Sequence, residues 1–446
     1  MKHIPLMLTV LLSTSAIAEP TITFTHIAGV DTPVHVVGNR PALHNGTVAF
    51  YGYLNDFYGH DPVIATAPAD GSGPFQVLIN QGDPRPDRPG QVFDDFANPG
   101  IYNGRVLFLG REIGGFPSTY ESTNGSPYEL YINSPINDPF IGPNGVTTPN
   151  GFNGVSFREN NGELNLLGNQ FSPFPCDAGT FGRVHVSGWR FAPMSEHHII
   201  WPTRVITSPL TYDSAVVAYD INADSLYCIA TGADTIPEFG GPFDFFYKAD
   251  TDGTTAAFIG YDPTLGFGRH EGLYIRDISG TGPIIKVADK LTTSPSGGNF
   301  GTFDNVVIDG NLIIFEGCSG GTFGCDRYGI YGCFIEDGVP GEIFDIINTR
   351  DSIGGLPIID ITINPKGQDG NQLAFDIRHS VNNASLYVVT ITQPASACPA
   401  DLNGDGDLNF FDISEFLNTM PDFNNDGDFN FFDVSAFLAA FNAGCP

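Results

Sequence analysis

The sequence predicts a mainly β chain: a β-propeller of seven blades, with six as the alternative count, followed by a small α module built on two metal loops. Three observations predict this. A short phrase, a turn pair followed by an apolar strand that ends in an aromatic residue, recurs along the chain. Gly (54) and Pro (34) are abundant, whereas Lys and Arg together number only 19, which favours turns and strands over long helices. The last 49 residues carry two Asp/Asn/Gly-rich loops, each leading into a segment of helical periodicity.

The first phrase reads Asn45-Gly46 to Phe50, Asn103-Gly104 to Phe108, Asp252-Gly253 to Phe258, Asp309-Gly310 to Phe315 and Asp369-Gly370 to Phe375. Weaker copies are Asn161-Gly162 to Leu166 and Asp213 to Tyr219. A second phrase follows: Leu130-Tyr131, Leu226-Tyr227, Leu273-Tyr274, Ile330-Tyr331 and Leu386-Tyr387. A third follows some of these, Gly71 to Pro74 leading into Val77–Ile79 and Gly280 to Pro283 leading into Ile284–Ala288. Aromatic stretches, Phe93 to Phe96 and Phe300 to Phe303, close these units.

Each unit therefore supplies three or four short strands with hairpin turn chemistry. One such unit cannot bury both faces, whereas units stacked round an axis can. About seven units fit between residues 21 and 394; the divergence of residues 132–210 is the reason to keep six open. The segment Thr21 to Gly29 reads as a third phrase, and the last unit stops after its second, Leu386 to Thr392. The N-terminal strand is thus expected to complete the C-terminal blade and close the ring. A β-solenoid or a pair of sandwiches is the competing topology.

The chain starts like an export signal, residues 1–18. Lys2 and His3 precede an apolar run, and Ala16-Ile17-Ala18 forms a small-x-small cleavage site. No later segment is apolar enough to span a membrane, so the expected location is secreted or cell-surface. The net charge of −31 excludes nucleic-acid phosphates and anionic lipid as partners. It leaves cations, proteins and glycans as ligands of the body. Seven cysteines in an exported chain imply bridges with one thiol left over. Cys398 and Cys445 bracket the tail and are the expected clasp. Two of Cys318, Cys325 and Cys333 are expected to pair, leaving Cys176 with Cys228 as a candidate.

The repeats, with Asn45 to Phe50 and Gly370 to Ala374-Phe375 as the nearest copies, resemble those of exported planctomycete-type proteins carrying tandem Asn-x-x-Gly-x-x-Ala-Phe units. The Asn-to-Gly gap of that pattern is absent at Asn45. The resemblance covers most of residues 30–390 and implies a propeller-like fold without an assigned chemistry.

In the tail, residues 401–412 and 422–433 each meet the requirements of a twelve-residue calcium loop. Positions 1, 3 and 5 offer side-chain oxygens from Asp401, Asn403 and Asp405, then Asp422, Asn424 and Asp426. Position 6 is Gly in both, and Asp407 and Asp428 at position 7 offer a backbone carbonyl. Asp412 and Asp433 close the loops at position 12. Leu408 and Phe429 lie where paired loops touch. Ile413, Phe416, Leu417 and Met420, then Val434, Phe437, Leu438 and Phe441, fall at helical spacing and read as core. Two loops each followed by one helix, bracketed by Cys398-Pro399 and Gly444-Cys445-Pro446, resemble a Gly-Cys-type dockerin. The resemblance covers residues 398–446 and implies two Ca²⁺ ions and a cohesin-like or surface anchoring partner. In cellulosomal dockerins positions 10 and 11 are usually hydroxyl residues; here they are Phe410-Phe411 and Phe431-Phe432. These pairs either pack internally, the reading placed first, or meet an apolar partner.

No catalytic signature is present: no His-x-His, His-Glu-x-x-His or Gly-x-Ser-x-Gly. The expected organisation is therefore a signal peptide (1–18), a β-propeller-like repeat domain (19–395) and a dockerin-like calcium-binding domain (398–446). The expected function is a secreted or surface-displayed, non-catalytic binding protein. The alternative is a dockerin-bearing glycan-active hydrolase or lyase, marked by two carboxylates about 5–10 Å apart in an axial funnel.

Overall fold

The computed structural model describes residues 19–36, 40–54, 61–112, 117–123, 125–130, 139–149, 155–167, 175–176, 192–208, 211–262, 269–320, 326–381, 383–393, 400–403, 407–424 and 428–443. The expected signal peptide lies outside them, as do Cys325, Cys398 and Cys445. Two compact units are present, Ile22–Ile391 and a second containing Thr392–Pro446.

The larger unit is a seven-bladed β-propeller. Blade 1 sets the short strands His35–Val36 and Ala42–His44 along Thr47–Tyr53, followed by Pro62–Pro68 and Gln76–Asn80. Blade 2 is Asp95–Tyr102, Arg105–Arg111, Ser118–Thr123 and Ser126–Leu130, and blade 3 is Phe140–Gly142, Gly145–Pro149, Val155–Glu159 and Leu164–Leu167. Blade 4 has three described strands, His198–Ser208, Thr211–Asp220 and Ser225–Thr231. Blade 5 is Phe245–Thr251, Thr255–Tyr261, Glu271–Asp277 and Ile285–Asp289, and blade 6 is Phe300–Asp309, Leu312–Ser319, Arg327–Glu336 and Val339–Asn348. Blade 7 joins Asp360–Asp369, Gln372–Ser380 and Asn383–Thr392 to the N-terminal strand Thr21–Ala28 at its edge, the closure expected from the sequence. First strands of successive blades touch from blade 4 round through blade 7 to blade 3, so they ring the axis.

The core lies between blades. Seven apolar clusters of described residues each straddle one junction, such as Ile314 and Ile330 of blade 6 with Ile363 and Phe375 of blade 7. Within blades the repeat is an aromatic quartet. Phe93, Phe96, Phe108 and Tyr120 meet in blade 2, Phe243, Phe246, Phe258 and Tyr274 in blade 5, and Phe300, Phe303, Phe315 and Tyr331 in blade 6. Centroid separations of 4.9–6.1 Å place these rings in stacked and edge-on contact. Tyr120 thus fills the place assigned to Leu130-Tyr131. Leu130 sits instead on the outer strand of blade 2, and Tyr131 lies outside the described residues.

The turns divide into two kinds. Asn45-Gly46 and Asn103-Gly104 are the two central residues of their hairpins, both with positive φ, as a type I′ turn requires. At Asp309 and Asp369 the register runs one residue later than expected. Each Asp ends a strand opposite Leu312 or Gln372, and Gly310 and Gly370, φ 58°, open the turns. Asn161-Gly162 joins the third and fourth strands of blade 3 and is not a first-strand turn.

That register shift frees Asp309 and Asp369 for another task. Asp309 Oδ2 accepts the Gly370 amide of blade 7 at 2.6 Å, and Asp369 Oδ2 accepts the Asn45 amide of blade 1 at 2.6 Å. A second clasp lies along each of these junctions, Glu316 Oε1 to the Ile363 amide and Asp376 Oδ1 to the Arg40 amide. The junction of blades 5 and 6 has the same pair: Asp250 takes the Ile308 amide at 3.0 Å, and Glu271 takes that of Phe303 at 2.8 Å. Bulges in the receiving strands, between Phe303 and Val306 and between Ile363 and Gln368, adjoin two of these amides, those of Phe303 and Ile363.

Cys176 and Cys228 form a disulfide. Cys318 is also disulfide-bonded, whereas Cys333 is a buried thiol, pushed up to about 12 by burial. No helix among the described residues is long and apolar enough to cross a membrane.

Two outcomes follow from this packing. A Cβ on Gly110 would sit 2.6 Å from Phe93 Cε1, inside a closed quartet. Gly110→Ala is therefore expected to destabilise the propeller by about 1–3 kcal/mol in chemical denaturation. Burial pushes the carboxyls of Glu316 and Asp376 up to about 7. A carboxyl whose folded-state value exceeds its unfolded one favours the folded chain at low pH, and that contribution is lost as pH rises towards 7. The melting temperature is expected to fall between pH 5 and pH 8, and to fall less in a Glu316→Gln/Asp376→Asn variant, which keeps both acceptors.

Candidate functional site

Two places gather chemistry-bearing side chains: the C-terminal unit and the axis of the propeller. In the C-terminal unit the helices are Phe410–Thr419 and Phe431–Ala443. Asn409 caps the first, its side chain accepting the Phe411 amide at 2.8 Å, and its own amide bonds Asp412 at 2.9 Å. Asn430 repeats both contacts with Phe432 and Asp433, at 2.7 Å each. The second oxygen of each acid reaches back into its loop. Asp412 Oδ1 accepts from Asn403, and Asp433 Oδ1 accepts from Phe423 and Asn424. Asp412 and Asp433 are fully buried, and backbone amides, those of Asn409 and Asn430 foremost, hold their carboxyls below the usual range. Position 12 therefore ties each loop to its helix.

Asp401, Asn403 and Asp407, then Asp422, Asn424 and Asp428, lie in the described parts of the loops. Asp405 and Asp426 lie outside the described residues. The donors present are all oxygens, the type a hard cation takes. Among the described residues no three His, Cys, Asp or Glu side chains gather round one point, so the described parts of the loops do not by themselves complete a cage.

The helices pack through Phe416 and Phe437, stacked at 4.2 Å, with Phe423 and Phe429 against Phe416 and Phe441 against Phe437. Leu408, Ile413 and Val434 complete this core. Leu417, Met420 and Leu438 do not join it; they are exposed, because two helices share one narrow seam and leave the flank of each stripe in water. The expectation that the phenylalanine pairs pack internally is also corrected. Phe410, Phe411, Phe431 and Phe432 are 66–76% exposed, because the first turn of each helix points away from the seam.

On the propeller axis a cavity of about 310 Å³ opens among the ends of the first strands. His44 is its best-defined polar group. Its ring stacks on Tyr102 at 4.3 Å, Nδ1 lies 3.6 Å from Asp369, and Nε2 lies 3.1 Å from Asn103 Oδ1. Sequence reasoning missed His44 because a lone histidine before an Asn-Gly turn carries no pattern; only ring closure brings Asp369 to it. The Asp369 carboxylate beside it raises the His44 imidazole above its ordinary value, and the imidazole lowers the Asp369 carboxyl.

This pair can be tested directly. In the native chain His44 is expected to titrate above the ordinary histidine value of about 6.5. In Asp369→Asn, which keeps an acceptor for the Asn45 amide, its midpoint is expected to move down, read from the imidazole proton shifts in an NMR titration.

No protein-family model matches the sequence, and no curated protein matches it. Among solved structures the chain is similar to the β-propeller domain of the Trilobed protease from Pyrococcus furiosus, at 11% identity and TM-score 0.47, over 80% of this chain and 94% of that one. It is also similar to the polysaccharide lyase Uly1, at 9% identity and TM-score 0.45, over 81% and 91%. A post-proline cleaving enzyme from Rickettsia typhi aligns at 10% identity and TM-score 0.47, over 81% of this chain and 53% of that one.

Proposed function

We propose that this protein is an exported, non-catalytic binding protein whose propeller is displayed through a calcium-dependent, dockerin-like tail. The observation that carries the reading is the pair of buried position-12 carboxylates. Asp412 and Asp433 draw loop amides inward, the wrapped backbone that a hard cation requires. Asp401, Asn403, Asp405, the Asp407 carbonyl and Asp412 would hold one Ca²⁺, and Asp422, Asn424, Asp426, the Asp428 carbonyl and Asp433 a second. Two ions would offset +4 of the tail's −9. The exposed phenylalanine pairs form the surface offered to a cohesin-like or other anchoring partner, because an apolar side chain left in water at two equivalent positions gains from being covered.

Calcium chelation is expected to abolish the helical far-UV signal of the tail and its melting transition; unchanged spectra and melting would refute the calcium reading. Asp412→Ala and Asp433→Ala should each remove one bound ion in calorimetric titration. Replacing Phe410, Phe411, Phe431 and Phe432 by Ser is expected to leave the calcium-loaded spectrum unchanged while reducing partner capture. Turnover in a glycan hydrolysis screen would overturn the non-catalytic reading in favour of a hydrolase or lyase.

A further inference from the structure

We propose that the axial cavity of the propeller binds a small organic cation, an ammonium or guanidinium head on an apolar stem. This names a ligand class for the binding body proposed above and rests on that reading. The cavity, about 310 Å³, is at the lower bound of small-molecule pockets and holds about ten water-sized volumes. It is built by the whole ring: described residues of blades 1, 2, 3, 5, 6 and 7 line it, together with the segment 194–196 before blade 4.

Its lining is of two kinds. One is apolar, with Leu43, Ile101, Ile141, Met194 and Ile308. The other is acidic. Among the described lining residues five carboxylates, Glu196, Asp250, Asp252, Asp309 and Asp369, accompany one lysine, Lys366, and one histidine, His44. These carboxylates oppose one another: burial first, and then Asp369 and Asp252, push the Asp309 carboxyl above its usual range. A cation seated among them relieves that repulsion, whereas an anion adds to it. A bare metal ion fits less well, because no three acidic or histidine side chains gather round one point among the described residues and part of the lining is apolar. An amine on a short aliphatic stem meets both kinds of lining, its head beside Asp309 and Asp252, which repel one another, and its stem against the apolar residues.

The test is calorimetric titration of the full chain, with calcium present, using pentylamine as probe and pentanol and pentanoate as neutral and anionic controls. Pentylamine is expected to bind at one site, to bind several-fold more weakly as sodium chloride rises from about 0.05 to 0.5 M, and to displace neither Ca²⁺ of the tail. Asp252→Asn/Glu196→Gln, which retains the Asp252 turn acceptor, is expected to weaken pentylamine about tenfold or more with the melting temperature unchanged. No heat with pentylamine, pentanol binding as tightly, or full affinity in the folded double variant overturns the assignment. The chelation experiment reads the tail alone, so either reading can fail without the other.

Discussion

A buried carboxylate accepting a backbone amide from the next blade is the interaction on which the ring depends. Hydrogen-bonded sheet stops at the edge of each blade, and only side chains cross to the next. Apolar packing supplies most of the free energy there but is non-directional and would tolerate sliding. A hydrogen bond is directional and does not tolerate it. Asp309 to Gly370, Asp369 to Asn45, Glu316 to Ile363 and Asp376 to Arg40 fix rotation and height at two successive junctions. Desolvation of the carboxyl is the cost, visible in the raised values of Glu316 and Asp376.

The same residue type serves opposite ends in the two units. In the propeller, burial first and then neighbouring acids raise the Asp250 and Asp309 carboxyls above their usual range. In the tail, Asp412 and Asp433 have no accessible surface either, yet several backbone amides converge on each and hold the carboxyl below its usual range. What separates them is which effect is larger: in the propeller burial outweighs the amides, and in the tail the amides outweigh burial.

Much of the architecture was legible in residue order. The phrase ending in Phe108, Phe258 and Phe315 marked the second strand of blades 2, 5 and 6, and the third-phrase character of Thr21–Ala28 foretold the closing strand. Legibility failed where tertiary partners decide. Asp309-Gly310 reads locally as a turn pair, and only Gly370 across the junction shows why the aspartate stays in the strand. Leu130-Tyr131 matched the pattern but Tyr120 filled the quartet, since a match of letters says nothing of which ring reaches Phe93. In the tail, helical periodicity gave the stripe but not its width. Phe416 and Phe437 took the seam, and Leu417 and Leu438 were left outside it.

The placement of Thr21–Ala28 beside Asn383–Thr392 bears on how the molecule is made. The two strands are more than 350 residues apart in sequence, the longest-range pairing in the propeller. A chain emerging N-terminus first can stack blades 1 to 6 as they arrive, but its opening strand has no partner until the seventh blade is out. Until then the nascent array keeps two open blade ends and lacks the junction between blades 7 and 1, so the contacts that lock it come last. The ring therefore closes only once the seventh blade has been made.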